Sequence, residues 1–507
     1  MELKKKESVL KSLALGCSTF SICTGLLIIC GLFFIVFGAL IFVFIMDLSN
    51  YVIESQLPLS STSDVIQYWI KPPIKPYLKV YIFNVTNPGD YLKGQKPKLQ
   101  EVGPYFYEET WEKVNTKWTK NDTQVEFEQK KIYHFIENLS AGSDTDQVII
   151  PNIPMIAAMA KLKNSSSLIK IALLSILQVF NQKPFVKLSV KKILWGYHNP
   201  LIKLGNDILP RDERFPFDKF GILIGKNGST SGKFKIHSGV DNLSNLGEIM
   251  SFRGKDKLDV WSGDQCNDIR GTDGTIFPPG FAKNKTLYVF SPDLCQSLPL
   301  VFEKEIITND IPGYRYIPPS NVFSGPAKNP RNKCFCDEKN KCMAQDGLMN
   351  ISPCQYNSPI IISWPHFYQA NPNLLNEVEG LNPDPEKHQF YIDIQPKLGS
   401  GLRAAVRSQI NIAVTPMEGV GDSSKLRKGV FPLIWVDEGL DEIKNEEVLN
   451  LLNMAVNLPT GIKKFGAPTT IFIGVLLIII SLLMLFHRRH NNRVAQFPSV
   501  NKSTDSL

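Results

Sequence analysis

Three groups of residues carry side chains and spacings that could do chemistry. The first is Gly225-Lys-Asn-Gly228 followed by Gly232-Lys233, a glycine-rich run ending in lysine, as in loops that cradle phosphates. Its spacing is wrong, with three residues between Gly228 and Gly232, and Phe234 replaces the hydroxyl residue that should follow the lysine. A glycine-rich hairpin turn is the better reading. The second group, Asp264, Asp268, Asp273 and Gly274, has calcium-loop residue types, but no bidentate glutamate follows at the required position. It reads as a surface loop. The third is the histidines: His134, His198, His237, His366 and His388 form no close pair in sequence, and no Gly-x-Ser-x-Gly elbow accompanies them. His487 and His490, beside Arg488 and Arg489, read as positive anchors. The expectation is a non-enzymatic chain without metal or cofactor.

A different chemistry is concentrated elsewhere. Between Asp146 and Asp207 there is no acidic residue, and the segment holds Lys161, Lys163, Lys170, Lys183, Lys187, Lys191, Lys192 and Lys203. It also contains Leu168–Phe180, 13 residues with one charge, too short to span a bilayer and without strand alternation. This predicts a helix. It could be buried in a bundle, or could present an apolar and basic surface to anionic, lipid-bearing partners. The chain's net charge of +8 is not spread as a nucleic-acid binder would spread it, because much of it sits in this segment and in the tails.

The elements that must position this segment begin with two apolar runs. No charge occurs from Ser12 to Met46 or from Phe465 to Phe486. A bilayer needs roughly 20 apolar residues in a helix, and only a helix satisfies its own backbone there. Lys4, Lys5, Lys6 and Lys11 precede the first run, while Arg488, Arg489 and Arg493 follow the second. Basic flanks face the cytosol. The layout expected is a tail at 1–15, a span at 16–46, an extracellular or luminal domain at 47–464, a span at 465–486 and a tail at 487–507. The first run is too long for a cleaved signal peptide.

The middle region agrees with that topology. It carries Asn-x-Ser/Thr acceptors at Asn84, Asn121, Asn138, Asn164, Asn227, Asn242, Asn284 and Asn350. Asn501 matches too, but lies in the cytosolic tail. Cys266, Cys295, Cys334, Cys336, Cys342 and Cys354 cluster in the same region, an even number suggesting three disulfides whose pairing the spacing leaves open. Cys17, Cys23 and Cys30 lie in the first span. The body reads as strands: Phe390, Ile392 and Ile394 alternate with polar residues, Gly399-Ser400-Gly401 makes a turn, and Val406, Ser408, Ile410, Ile412 and Val414 continue at period two. By composition alone the apolar face is a packed core. Residues 47 to 70 and 440 to 455 read as helical.

Several stretches resemble the class B scavenger receptors, the family of platelet glycoprotein IV (fatty acid translocase) and a lysosomal integral membrane protein. They are Lys79-Val-Tyr-Ile-Phe-Asn-Val-Thr-Asn-Pro88, Glu101-Val-Gly-Pro-Tyr105, Leu194-Trp-Gly-Tyr-His-Asn-Pro-Leu201, Gly221-Ile-Leu-Ile-Gly-Lys-Asn-Gly228, Trp261-Ser-Gly-Asp-Gln-Cys266, Asn350-Ile-Ser-Pro-Cys354 and Ser363-Trp-Pro-His-Phe367. The resemblance implies an α+β fold. It would be a large antiparallel β-barrel ectodomain with a helical apex at 147–206 and an internal hydrophobic tunnel, flanked by two transmembrane helices. It implies the pairs Cys266–Cys334, Cys295–Cys354 and Cys336–Cys342. It further implies capture of lipoproteins, fatty acids, sterols, carotenoids, anionic particles or apoptotic cells at Lys161, Lys163, Lys170, Lys183, Lys187, Lys191 and Lys192, with apolar cargo passing down the tunnel. The tail from Asn491 to Leu507 lacks the acidic dileucine signal of the lysosomal member, so the expected location is the plasma membrane. Homo-oligomerisation is open. The alternatives are recognition without lipid transfer and a two-span ligand-gated channel. For a channel the second span is too apolar, with Ser481 its one polar residue beyond Thr469 and Thr470 at its edge.

Overall fold

The computed structural model describes residues 2–63, 66–208, 214–336, 342–343, 345–417 and 421–494. Residues 495–507, with Asn501, and the side chain of Cys17 lie outside the described residues. The chain forms two units, Met1–Ser55 with Asn450–Leu507, and Gln56–Leu449.

The first unit is built on the helices Glu2–Gln56 and Ala467–Val494, both long and apolar enough to cross a membrane. Leu32, Phe33, Val36, Leu40, Phe472, Ile473 and Leu483 are exposed, as lipid-facing side chains must be. The helices meet along a seam of small residues. Thr24, Gly31 and Gly38 recur every seven residues on one helix, and Ala467, Gly474 and Ser481 do so on the other. Seven residues are nearly two turns, so each set lies on one face. A Cβ at Gly31 would lie 2.8 Å from the Gly474 carbonyl oxygen, and one at Gly474 2.6 Å from that of Gly31. Ser481 Oγ donates to the Thr24 carbonyl at 3.0 Å. In lipid, close backbone approach and such hydrogen bonds hold helices together. Gly474→Leu should therefore destabilise this unit by about 1–3 kcal/mol through overpacking. A thermal melt in nanodiscs that matched the lipid-facing control Phe472→Leu would refute the seam. Short π-helical turns at Asn453–Asn457 and Ile462–Gly466 interrupt the approach to the second helix.

The second unit opens where the first helix stops at Gln56, before Pro58. A short helix at Ile66–Ile70 follows, so residues 47–70 are not one helix. Its strands are β1 (Tyr77–Val85), β2 (Leu99–Thr119), β3 (Gln124–Phe135), β4 (Gln147–Pro151), β5 (Phe185–Ser189), β6 (Thr230–His237), β7 (Ile249–Phe252), β8 (Leu287–Ser291), β9 (Gln296–Thr308), β10 (Ile311–Ile317), β11 (Met349–Asn350), β12 (Ile360–Ser363), β13 (Tyr391–Gln395), β14 (Ser400–Val414) and β15 (Gly429–Leu440). β4 and β5 form a separate ribbon. The others make one antiparallel sheet in the order β7-β6-β3-β2-β1-β15-β14-β13-β10-β9-β8, with β12 paired to β14 and β11 to β12. β1 is central and mostly buried on both faces, which is why Tyr-Leu-Lys-Val-Tyr-Ile-Phe is nearly continuous apolar sequence. Among the described residues no strand pairing joins the edges β7 and β8. Both edges bond the same short segment instead: Ile249 N–H donates to the Gly271 carbonyl at 2.8 Å, and Phe290 N–H to that of Thr272 at 2.9 Å.

Disulfides join Cys266 to Cys334, Cys295 to Cys354 and Cys336 to Cys342. By the chain-entropy account each would stabilise by about 2–4 kcal/mol, the longer loops more. Of the glycine run, 225–229 is a turn feeding β6 and 230–233 lies within β6, so the run is not a hairpin between two strands. The aspartate group is not a simple surface loop either. Asp268 pairs with Lys257 and Arg270, while mostly buried Asp273 lies 3.7 Å from the buried ammonium of Lys113.

Candidate functional site

The acid-free segment folds as helices Ile153–Leu162, Ser167–Val179, Val190–Trp195 and Pro200–Ile208, with the β4–β5 ribbon among them. The ribbon was not foreseen. Buried Asn152 fixes the first helix: its Oδ1 accepts from Met155 N–H, and its Nδ2 donates to Gln182 Oε1 and the Lys183 carbonyl. The helix Ser167–Val179 combines both sequence readings. Leu173 and Leu177 are buried against the core, while Leu168 and Val179 are 79% and 78% exposed, with Ile169, Ile171 and Phe180 exposed beside them. Lys163, Lys183, Lys187, Lys191 and Lys192 are exposed; Lys161 and Lys170 are half-buried. Lys191 lies 3.7 Å from the Asp144 carboxylate. The region therefore offers solvent a ridge of apolar side chains on one helix and exposed ammonium groups on the elements that follow it.

A second feature lies on the large sheet. Direct pairings place Val406 opposite Glu438, Glu438 opposite Leu78, Leu78 opposite Tyr107, and Trp111 opposite Lys131, so these side chains share one face. On that face Lys131 Nζ of β3 hydrogen-bonds Glu438 Oε1 of β15. Three strand spacings of about 4.8 Å, with the four-residue offset between Lys131 and Phe135 in Glu438's row, would hold them roughly 20 Å apart on a flat sheet, beyond the joint reach of the two side chains. The sheet therefore curls towards this face. Along β14 the concave row Ala404, Val406, Ser408 and Ile410 stays half-exposed in mid-sheet, as does Val436 beside it. On the opposite row Ala405, Gln409 and Asn411 are fully buried, and half-buried Arg407 between them pairs with Asp437. The concave face also carries wholly buried core side chains, Leu78, Tyr107, Ile392 and Tyr316, against which the half-buried row packs.

Gln409 and Asn411 of the opposite row are covered by residues 361–366. His366 N–H donates to Gln409 Oε1, and Asn411 Nδ2 donates to Ser363 Oγ and the Ile361 carbonyl. His366 and His388 stack with ring centres 4.4 Å apart. Asn382 N–H donates to His366 Nδ1, leaving Nε2 to face Glu101 Oε2 at 2.5 Å. Burial would raise the Glu101 carboxyl, but the hydrogen bonds from His366 and Trp435 outweigh it and hold it below the usual range. No sequence signal joins these two histidines, which lie on different segments.

Residues 29–485 match the CD36 family. The chain belongs to that family. Among its relatives it is 34% identical to scavenger receptor class B member 1 of Bos taurus over 409 residues, 80% of this chain and 79% of that one. It is 35% identical to lysosome membrane protein 2 of Mus musculus over 408 residues, 80% of this chain and 82% of that one. The human lysosome membrane protein 2 is 33% identical over 420 residues, 82% and 86% of the two chains.

Among the described residues no cluster of three or more histidine, cysteine or acidic side chains could hold a metal ion. Of the eight glycan acceptors, Asn121, Asn138, Asn164, Asn227, Asn242 and Asn284 are exposed, whereas Asn84 and Asn350 are half-buried. Asn84 Oδ1 accepts from Ile149 N–H, tying β1 to the ribbon.

Proposed function

We propose that this CD36-family chain is a non-enzymatic cell-surface receptor. It captures lipid-bearing or anionic particles on the lysine-rich helices and passes apolar cargo through the hollow of its curled sheet to the membrane. The observation that supports this reading is the half-buried, mostly apolar row Ala404, Val406, Ser408, Ile410 and Val436, which keeps solvent access in the middle of the sheet at the edge of the core packing. Side chains flanked by strands on both sides keep such access only beside open space. The common bonding of β7 and β8 to Gly271–Thr272 supports closure into a barrel around that space. Apolar cargo moves down its own gradient, and transfer out of water favours entry.

Mass spectrometry of apolar material extracted from the purified full-length protein tests the hollow. Co-purifying lipid is expected; a chain that holds none and accepts none added would reduce the function to surface recognition. The apolar ridge beside the lysines supports capture of particles that offer both anionic heads and exposed lipid. Neutralising Lys183, Lys187 and Lys191 together to Gln should weaken binding of anionic vesicles by about tenfold at low salt, with less effect at high salt where the Debye length shrinks. Equal binding by wild type and variant at low salt would remove these helices from the mechanism. Surface biotinylation tests the plasma-membrane location, against the lysosomal one that a relative's name carries.

A further inference from the structure

Among the polar side chains on the concave face, one group has a geometry that points to a use. Lys131 Nζ, bonded to Glu438, also lies 4.9 Å over the Trp111 ring. Trp111 Nε1 donates to Glu109 Oε2. Glu109 is only 2% exposed, and its Oε1 has no hydrogen-bond partner. Glu109 sits opposite Tyr133 on β3, on the same face as Lys131. The Lys131 and Glu438 side chains keep 30% and 27% exposure, so the pair is reachable from the hollow. A second pair, Lys226 with Asp293, lies close enough for Lys131 to help hold the Asp293 carboxyl below its usual range against the upward push of burial.

A buried carboxyl oxygen without a partner costs about 1–3 kcal/mol, so its persistence beside an accessible ion pair asks for a partner the chain does not supply. We propose that Lys131, Glu438 and Glu109 form a station that hydrogen-bonds the terminal hydroxyl of a neutral amphiphilic cargo, its apolar body lying along the Val406–Ser408–Val436 face. The hydroxyl accepts from Lys131 Nζ and donates to a carboxyl oxygen of Glu438 or Glu109, inserting without adding charge. A carboxylate head would compete with Glu438 for Lys131 and bring a further negative charge beside Glu438 and Asp293, at a desolvation cost that no free cation in the group repays. Burial, then Glu438, push the Glu109 carboxyl up to about 8. At neutral pH it is largely an O–H donor, and a hydroxyl, both donor and acceptor, pairs with either of its forms.

This inference rests on the proposed hollow, and the test separates the two. Three photoactivatable probes of one chain length, ending in a hydroxyl, a carboxylate or a methyl group, each with its diazirine beside the end group, are incubated with the full-length protein in nanodiscs. Cross-links are then mapped by peptide mass spectrometry. The hydroxyl probe is expected to label peptides around Trp111 and Lys131 about tenfold more than the methyl probe, the value of one net hydrogen-bonded pair. The preference should vanish in the double variant Lys131→Met/Glu438→Gln, which leaves no lone buried charge. Equal labelling of that region by all three probes, or stronger labelling by the carboxylate, overturns the station and leaves the hollow standing. Absence of labelling anywhere on the concave face by every probe overturns the hollow itself.

Discussion

Ser408→Trp is expected to reduce transfer of apolar lipid to the level of cells lacking the protein, while particle capture stays at the wild-type level. Ser408 lies opposite Val436 and, two residues along the strand, beside Val406 and Ile410 on the half-exposed row. In the proposed hollow an indole there would fill the space beside these side chains, plugging the passage where strands flank it on both sides. Residual overpacking would cost about 1–3 kcal/mol. The three disulfides and the long β14–β15 ladder lend the domain stability against that cost. The measurement is paired: uptake of a labelled non-hydrolysable ether lipid, and binding of the particle carrying it, on the same cells. Wild-type uptake by a variant that reaches the cell surface would mean that cargo does not pass this row. Loss of both uptake and capture would mean that the fold, not the passage, had been damaged. The same substitution at Ile307, an exposed β9 position near the hairpin turn, serves as the control.

What could be read from the sequence was local or imposed by the solvent. Two charge-free runs had to be helices because lipid leaves the backbone no other choice, and the β13–β14 hairpin announced itself through Gly399 and period-two alternation. The helix at Ser167–Val179 followed from the absence of alternation. What could not be read depended on distant partners. Alternation on β14 placed Val406 and Ile410 towards a core, and both pack at its edge, but it could not show that Gln409 and Asn411 on the other face are wholly buried, because residues 361–366 arrive there with matching donors and acceptors. Simple counting does carry on to Ile412 and Val414, both buried, while an extra residue in β15 shifts only their partners there. The stacked His366 and His388 belong to separate segments, and each alone looked structural. Lys131 and Glu438 are 307 positions apart, so no spacing rule could join them. Cysteine spacing likewise left the pairing open, and only the family resemblance chose among the possibilities.

Two of these hidden groups should set opposing pH dependences that nearly cancel. Burial, then the stacked His366, push His388 down to about 4. A histidine depressed in the folded state contributes stability that is complete above its unfolded value near 6.5 and is lost as pH falls towards 4. Between pH 7 and pH 5 that loss is about 2 kcal/mol. Glu109, pushed up to about 8, has the opposite sign. Its contribution is complete below the unfolded carboxyl value near 4.5 and is lost as pH rises towards 8, so acidification from pH 7 to pH 5 returns about 3 kcal/mol. The melting temperature of the wild-type full-length protein should therefore change little over this interval. Glu109→Gln removes the gain and should leave a protein that loses about 2 kcal/mol on acidification; His388→Gln removes the loss and should leave one that gains about 3 kcal/mol. Melts of all three proteins at pH 7 and pH 5 decide the matter, since variants that track wild type at both pH values would show that neither group titrates with the fold. If the variants diverge as expected, a neutral Glu109 on the concave face and a neutral His388 on the opposite face of the sheet together hold one fold steady from neutral pH down to pH 5.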